Sequence, residues 1–279
     1  MTKYIGIIAV IIFIGCGWLM YNRISNLTVF AIMNELRVIA QTHFDVLEHH
    51  LDTIEYSGLF FEDRAEINTV LEQVFVDDIF CDDFSDLDSC KELFDIFKFY
   101  FVRDAYFREL YVFDHNKKQR VHFTRGDIDP LLIRRTDEEL SNKLDRARWL
   151  QGKKYHFIPI NKEQSGEPSL ALAITLEQDD RTFAYVILEI DTTYLTTFLK
   201  SSADNRHQVF YGDRNYVAWF TNAQDVTLAG EVFTKDHGYI KDCFAGVTHD
   251  PEKFFAGDYN DLGSYVYIER LDWCVIVQR

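Results

Sequence analysis

The sequence predicts an α+β protein: an N-terminal transmembrane helix, a long stalk helix, then two modules with antiparallel sheets. Three observations carry this. Residues 5–20, IGIIAVIIFIGCGWLM, contain no charged side chain. Apolar positions then recur at helical spacing from Ile24 to Ile54, with neither Gly nor Pro to interrupt them. After Tyr106, short apolar or alternating runs divided by polar turns come in two sets, the pattern of hairpin-built sheets. The expected boundaries are 1–22 for the anchor, 23–105 for the stalk and a helical prelude, 106–200 for the first module and 201–279 for the second.

Composition agrees with a folded chain. It has 279 residues, 47% of them hydrophobic and 15% aromatic, with four prolines and 13 glycines. That is enough for two modest cores and leaves no long disordered linker. A net charge of −16 opposes nucleic acid, whose phosphates need a basic footprint, and opposes docking on an anionic leaflet. The acidity reads as solubility.

The anchor, with Tyr4 and Tyr21 at its ends, is about 18 residues long, at the lower range for spanning a bilayer. A cleaved signal peptide would have a shorter apolar run and a small-residue cleavage site, whereas this run continues into Trp18-Leu19-Met20. Phe13-Ile14-Gly15-Cys16 resembles a loose lipoprotein signal and is the remaining alternative. Lys3 and Arg23 barely bias orientation, and the bulk of the chain is expected outside the cytoplasm.

On the stalk, Ile24, Leu27, Ala31, Leu36, Ile39, His43, Leu47, His50 or Leu51 and Ile54 form a stripe that ends near Ser57, before Gly58. A helix of this length suits a stalk and a dimerisation surface. His43, His49 and His50 do not have the four-residue spacing of helical metal ligands and read as seam or surface histidines. Helices are expected over 62–80 and 89–103, with Leu71, Val74, Phe75 and Leu93, Phe94, Phe97 inward. The acidic stretch between them, DDIFCDDFSDLDSC, lacks the glycine and closing glutamate of a calcium loop. Cys81 and Cys90 bracket it. Outside the cytoplasm a bridge between them would contribute about 2.5–3 kcal/mol by loop closure. Cys243 and Cys274 read as core positions, with their pairing left open.

The first module should contain strands over 106–114 and 120–124 around a His115-Asn116-Lys117-Lys118 turn. An amphipathic helix over 136–149 and a strand over 155–160 follow. Leu170, Leu172, Ile174 and Leu176 alternate as in a half-buried strand, and 183–190 is almost wholly apolar, as in a central one. Asp191 or Thr192 can cap the helix behind it, whose apolar positions are Tyr194, Leu195, Phe198 and Leu199. The second module repeats the theme with hairpins over 207–221 and 264–277.

This order of elements resembles the double Cache sensor domain, a tandem PAS-like extracytoplasmic module of bacterial sensor histidine kinases and chemoreceptors. The residues that carry it are YVFDHNKKQRVHF, ARWLQGKKYHFIPI, SGEPSLALAITL, FAYVILEIDTTYLTTFL, HQVFYGDRNYVAWF and SYVYIERLDWCVIVQR. The resemblance covers nearly the whole chain. It implies a single-pass protein of the bacterial inner membrane, with ligand sensing in the membrane-distal module and transmission through the proximal one. In the pocket signature of the amino-acid-binding members, Trp149 matches the pocket-helix Trp and Asp191 the acid that holds an α-amine. Ala147 stands where the family has Arg, with Arg146 and Arg148 on either side, and Ile160 stands where it has Tyr. The expected ligand site is therefore Tyr111, Arg148, Trp149, Tyr155 and Asp191. Core packing for Trp149 and helix capping for Asp191 remain the competing roles.

No phosphate loop, nucleophile elbow or metal-spaced Cys/His cluster points to an enzyme, and no cofactor or metal is expected. The chain ends at Arg279 without an output domain, so it reads either as a stand-alone sensor subunit or as the sensory piece of a longer receptor. The expected partners are a small-molecule ligand, the membrane, and either a second copy through the stalk or a signalling protein, with no nucleic acid. The alternative is an envelope protein-interaction subunit or lipoprotein without a small-molecule ligand.

Overall fold

The computed structural model describes residues 2–59, 65–82, 87–103, 106–125, 155–161, 168–178, 181–201, 206–214, 218–222, 242–245 and 262–278. The first 58 of these form one helix, α1 (Thr2–Leu59). Its buried positions Val29, Met33, Leu36, Ala40, His43, Leu47, His50 and Ile54 alternate at spacings of four and three. That is the seam of a helix lying along a partner surface. The helix runs through Gly58 instead of ending before it. A Cβ at Gly58 would come 2.2 Å from Leu172 Cδ2, so glycine here permits close helix–sheet approach and does not stop the helix. Among the described residues, no helix is long and apolar enough to cross a membrane. The side chains of residues 1–12, half of the expected anchor, lie outside that set.

α2 (Ala65–Val76) and α3 (Asp88–Arg103) follow. α2 is shorter than its apolar pattern suggested because a left-handed residue ends it. Asp78 has φ 54°, Ile79 N–H donates to Val74 O at 3.0 Å and Asp78 N–H to Phe75 O at 3.3 Å. This pair of bonds satisfies the last carbonyls of the helix, with Asp in the place usually taken by Gly. The Asp78 carboxylate then pairs with Lys118 at 3.0 Å and with Arg120. Their hydrogen bonds and charges hold its pKa below the ordinary value. Part of the acidic stretch is thus neutralised by Lys118 and Arg120. Cys81 and Cys90 are disulfide-bonded with Cα atoms 5.4 Å apart. Cys81 also donates to Arg120 O at 2.8 Å and accepts from His122 N at 2.9 Å, so the staple fastens α3 to the sheet edge.

The first sheet contains β1 (Phe107–Asp114), β2 (Gln119–Thr124), β3 (Tyr155–Asn161), β4 (Pro168–Gln178) and β5 (Arg181–Ile190), in the order β2-β1-β5-β4-β3. β5 lies at its centre, as its apolar run required. α4 (Thr193–Ser201) follows β5. The second sheet contains β6 (Gln208–Asp213), β7 (Ala218–Thr221), β8 (Gly263–Ile268) and β9 (Trp273–Gln278), in the order β7-β6-β9-β8. All pairings are antiparallel. Matched by position, the second order repeats the first without its last strand. The sheets are separate, and the helix expected over 136–149 lies outside the described residues.

Both sheets lean on α1 at different heights. The second meets its middle, where His43 reaches Tyr211 and Arg270 reaches Glu48, Asp52 and Glu55. The first meets its C-terminal end at Gly58. Leu110, Val112, Leu172, Ile174, Val186 and Leu188 of the first sheet and Val209, Tyr211, Val275 and Val277 of the second join the α1 seam in one hydrophobic core. Cys243 and Cys274, the pair left open by the sequence, are bonded with Cα atoms 6.5 Å apart.

Candidate functional site

The two faces of the first sheet differ in chemistry. One packs on the helices and is mainly apolar. The other carries Tyr111, Phe113, Ile158, Ile160, Ala171, Ala173, Tyr185 and Ile187, a second buried cluster distinct from the first. Strand alternation places Glu109 with Tyr111 on β1, His122 and Thr124 on β2, Ser169 and Thr175 on β4 and Glu189 on β5 on this same far face. All of these polar residues are buried. Ionisable groups are rarely buried without function or a partner, so their concentration on one face marks the site.

The constellation is held by its own strands. Glu109 and Glu189 are direct cross-strand neighbours, with Cβ atoms about 5 Å apart by sheet geometry. Tyr111 donates its hydroxyl to Glu109, and His122 Nε2 lies 3.4 Å from the same carboxylate. The His122 ring stacks on Tyr111 with centroids 4.6 Å apart and planes at 10°. Ser169 Oγ donates to Glu189 Oε1 at 2.7 Å. Thr175 Oγ1 is buried with no hydrogen-bond partner, and Ala171 and Ala173 keep the floor between Ser169 and Thr175 low. The arrangement is suited to recognising a polar molecule.

Of the five residues expected from sequence, the three described ones, Tyr111, Tyr155 and Asp191, do not share one face. Tyr111 lies on the far face. Tyr155 pairs with Ile174 in register and packs against the α1-side core, so it is on the opposite face and is removed from the site. Its hydroxyl meets Glu55 of α1, and that hydrogen bond together with burial raises its pKa. Asp191, at the end of β5, accepts from Thr193 N–H at 2.9 Å, which is the capping role. Burial acts to raise its pKa. The Thr193 hydrogen bonds and the charges of Arg108 and Arg125 outweigh it, so the carboxyl sits below its ordinary value. Arg148 and Trp149 lie outside the described residues. Glu109, His122, Ser169 and Glu189 were not singled out from sequence. The signal was available: Glu109 and Glu189 stand within apolar runs of two strands, at positions that strand alternation buries.

No protein-family model and no curated protein matches the chain. Solved structures do. The sensory domain of the Campylobacter jejuni chemoreceptor Tlp3 with isoleucine bound matches at TM-score 0.57 and 11% identity, covering 90% of this chain and 94% of that one. The same ligand-binding domain in complex with L-valine matches at TM-score 0.58 and 12% identity, with the same coverages. The sensor domain of the V. cholerae histidine kinase DctB matches at TM-score 0.49 and 13% identity, over 89% of this chain and 96% of that one. The chain therefore has the fold of the chemoreceptor sensory domains, the double Cache type.

Proposed function

We propose that this protein receives a small-molecule signal outside the cytoplasm and binds its ligand on the far face of the first sheet. The observation that carries the reading is the buried group of Glu109, Tyr111, His122, Ser169 and Glu189 on one sheet face, whose opposite side packs mainly apolar residues on the helices. Pockets for small molecules combine apolar walls with a few convergent polar groups. Neighbours of the same fold hold isoleucine and L-valine, which supports an amino acid or similarly small polar ligand. Arg148 and Trp149 remain candidate members of the site, and the chain is read as a sensor and not an enzyme.

The membrane arrangement belongs to the same proposal. Residues 5–20 anchor the chain in the bacterial inner membrane, and α1 carries the signal path outward as a stalk. The second sheet contacts α1 nearer that anchor than the first does, which supports a proximal second module (201–279) and a distal, ligand-binding first module (106–200). Two disulfides support an oxidising compartment. On the stalk face away from the seam, Ile24, Leu27 and Val38 are exposed, and this stripe supports pairing with a second copy.

Thermal unfolding of the full chain in detergent micelles, screened against L-amino acids and small polar metabolites, tests the reading. A ligand at a hundred times its Kd stabilises by about 2.7 kcal/mol, a shift of several degrees. Glu189→Gln keeps the side-chain volume and should abolish that shift. A ligand that stabilises wild type and Glu189→Gln equally would refute the site.

A further inference from the structure

α1, α4 and the second sheet meet at a cluster of buried imidazoles. His43 and His50 are seven residues apart, two turns on one face of α1, and are only 1% and 5% exposed. Each packs on an aromatic residue of α4. The His43 ring lies 4.8 Å from Phe198, and the His50 ring stacks 4.8 Å from Tyr194, with Tyr106 at its edge 5.6 Å away. His43 Nδ1 sits 2.9 Å from the Tyr211 hydroxyl of β6. His50 Nε2 is buried with no hydrogen-bond partner. Just before β6, His207 Nδ1 is likewise buried without a partner, while its Nε2 lies 3.9 Å from Glu35.

No described carboxylate faces His43 or His50. On α1, Asp45 accepts from Gln41, whereas Glu48, Asp52 and Glu55 turn to Arg270. α4 presents Tyr194, Phe198, Leu195 and Leu199. β6 presents Tyr211, β9 presents Val275 and Val277, and the other nearby titratable groups are Tyr106 and His49. A neutral imidazole is tolerated in such surroundings and an imidazolium is not. Burial pushes both pKa values from 6.5 down to about 4, with His49 adding to the effect on His50.

We propose that this joint is a proton-binding site, through which acidity around the sheets releases α4 from α1. α4 connects β5 to β6, so the element that lets go is the one that joins the two modules. The direction follows from linkage. Above pH 6.5 the histidines are neutral whether the joint is closed or open. As pH falls from 6.5 toward 4, the open form takes up protons that the closed form refuses, so closure weakens throughout that window. By pH 4.5 the opening equilibrium should have risen on the order of a hundredfold per histidine.

Hydrogen exchange on the full chain in detergent micelles, disulfides intact, from pH 7.5 to 4.5 and corrected for intrinsic rates, tests this. Amides of residues 193–201 should lose about a hundredfold or more in protection, while the centre of the first sheet, in β1 and β5, keeps its own. His50→Phe retains the stack on Tyr194 and removes the orphan nitrogen. His43→Gln retains a partner for Tyr211. The double variant should exchange at α4 independently of pH, and His50→Phe alone should lose about half of the logarithmic decline. All carboxylates persist in these variants. The same decline in the double variant, or a pH-independent α4 in wild type, would overturn the proposal.

Discussion

The first and second sheets use one strand order and spend their second faces differently. In the first, the face turned from α1 gathers two carboxylates, an imidazole and hydroxyls around Tyr111. In the second, the strands beside α1 carry the heavy packing. Trp273 is fully buried and stacked on Trp219 with ring centroids 6.0 Å apart, Tyr211 touches His43, and Arg270 grips three α1 carboxylates. The contrast is between a module that gathers buried polar groups on its second face and one that holds α1. It is made by side chains on a shared backbone plan, since topology alone does not assign function.

Disulfide removal should separate the modules most strongly. The Cys243–Cys274 bridge spans 31 residues and Cys81–Cys90 spans nine. Loop-closure entropy then assigns about 3.7 kcal/mol to the former and about 2.6 kcal/mol to the latter. Denaturant unfolding of the two double-alanine variants should show the second module losing more. Equal losses, or the reverse order, would mean that native-state strain and not loop length sets their value.

Breaking the stalk clamp comes next. Arg270 Nη2 lies 2.8 Å from Glu48 and also pairs with Asp52, while Nη1 lies 3.1 Å from Glu55. The guanidinium is about one-third exposed, so solvent screening limits the network to about 1 kcal/mol. Arg270→Met should cost that much at low salt and less at 0.5 M salt, with the wild type moving toward the variant. A salt-independent loss would make Arg270 a packing residue.

The smallest effect is expected at Asp191, where the modules join. Its carboxylate caps α4, so Asp191→Ala should cost about 1 kcal/mol and Asp191→Asn close to nothing. If Asp191→Asn also keeps any ligand-dependent stabilisation that Glu189→Gln loses, the two acids are separated into a capping and a binding role. Loss of that stabilisation in Asp191→Asn would restore it to the site.

Much of this was readable from the residues. The α1 seam from Leu36 to Ile54, the turn at Lys117, the central position of β5 and the capping position at Asp191 all depend on neighbours a few residues away, whereas Ile24, Leu27 and Ala31, expected on the same stripe, are exposed and the seam there runs through Val29 and Met33. The Cys81–Cys90 spacing was equally visible. The end of α2 was misplaced because Asp78 adopts a conformation usually left to Gly, at the energetic expense its ion pairs with Lys118 and Arg120 accompany. Glu189 was passed over because one acid in an apolar strand looks like an interruption until the strand is known to be buried on both faces.

The sequence by itself determined the elements and their order, because helical and strand periods, caps and polar turns are short-range properties of the chain. It could not decide which alternate residues share a face across strands far apart in sequence. Tyr111 and Tyr155 look equivalent as strand aromatics. Pairing of β1 with β2 sets Tyr111 opposite His122, away from α1, whereas pairing of β3 with β4 sets Tyr155 opposite Ile174, toward it. A strand shows a different side chain on each face at every step, so a single residue of register reverses what joins the polar far face and what faces α1. Only the tertiary pairing, fixed by the burial of both faces of the first sheet, makes that choice.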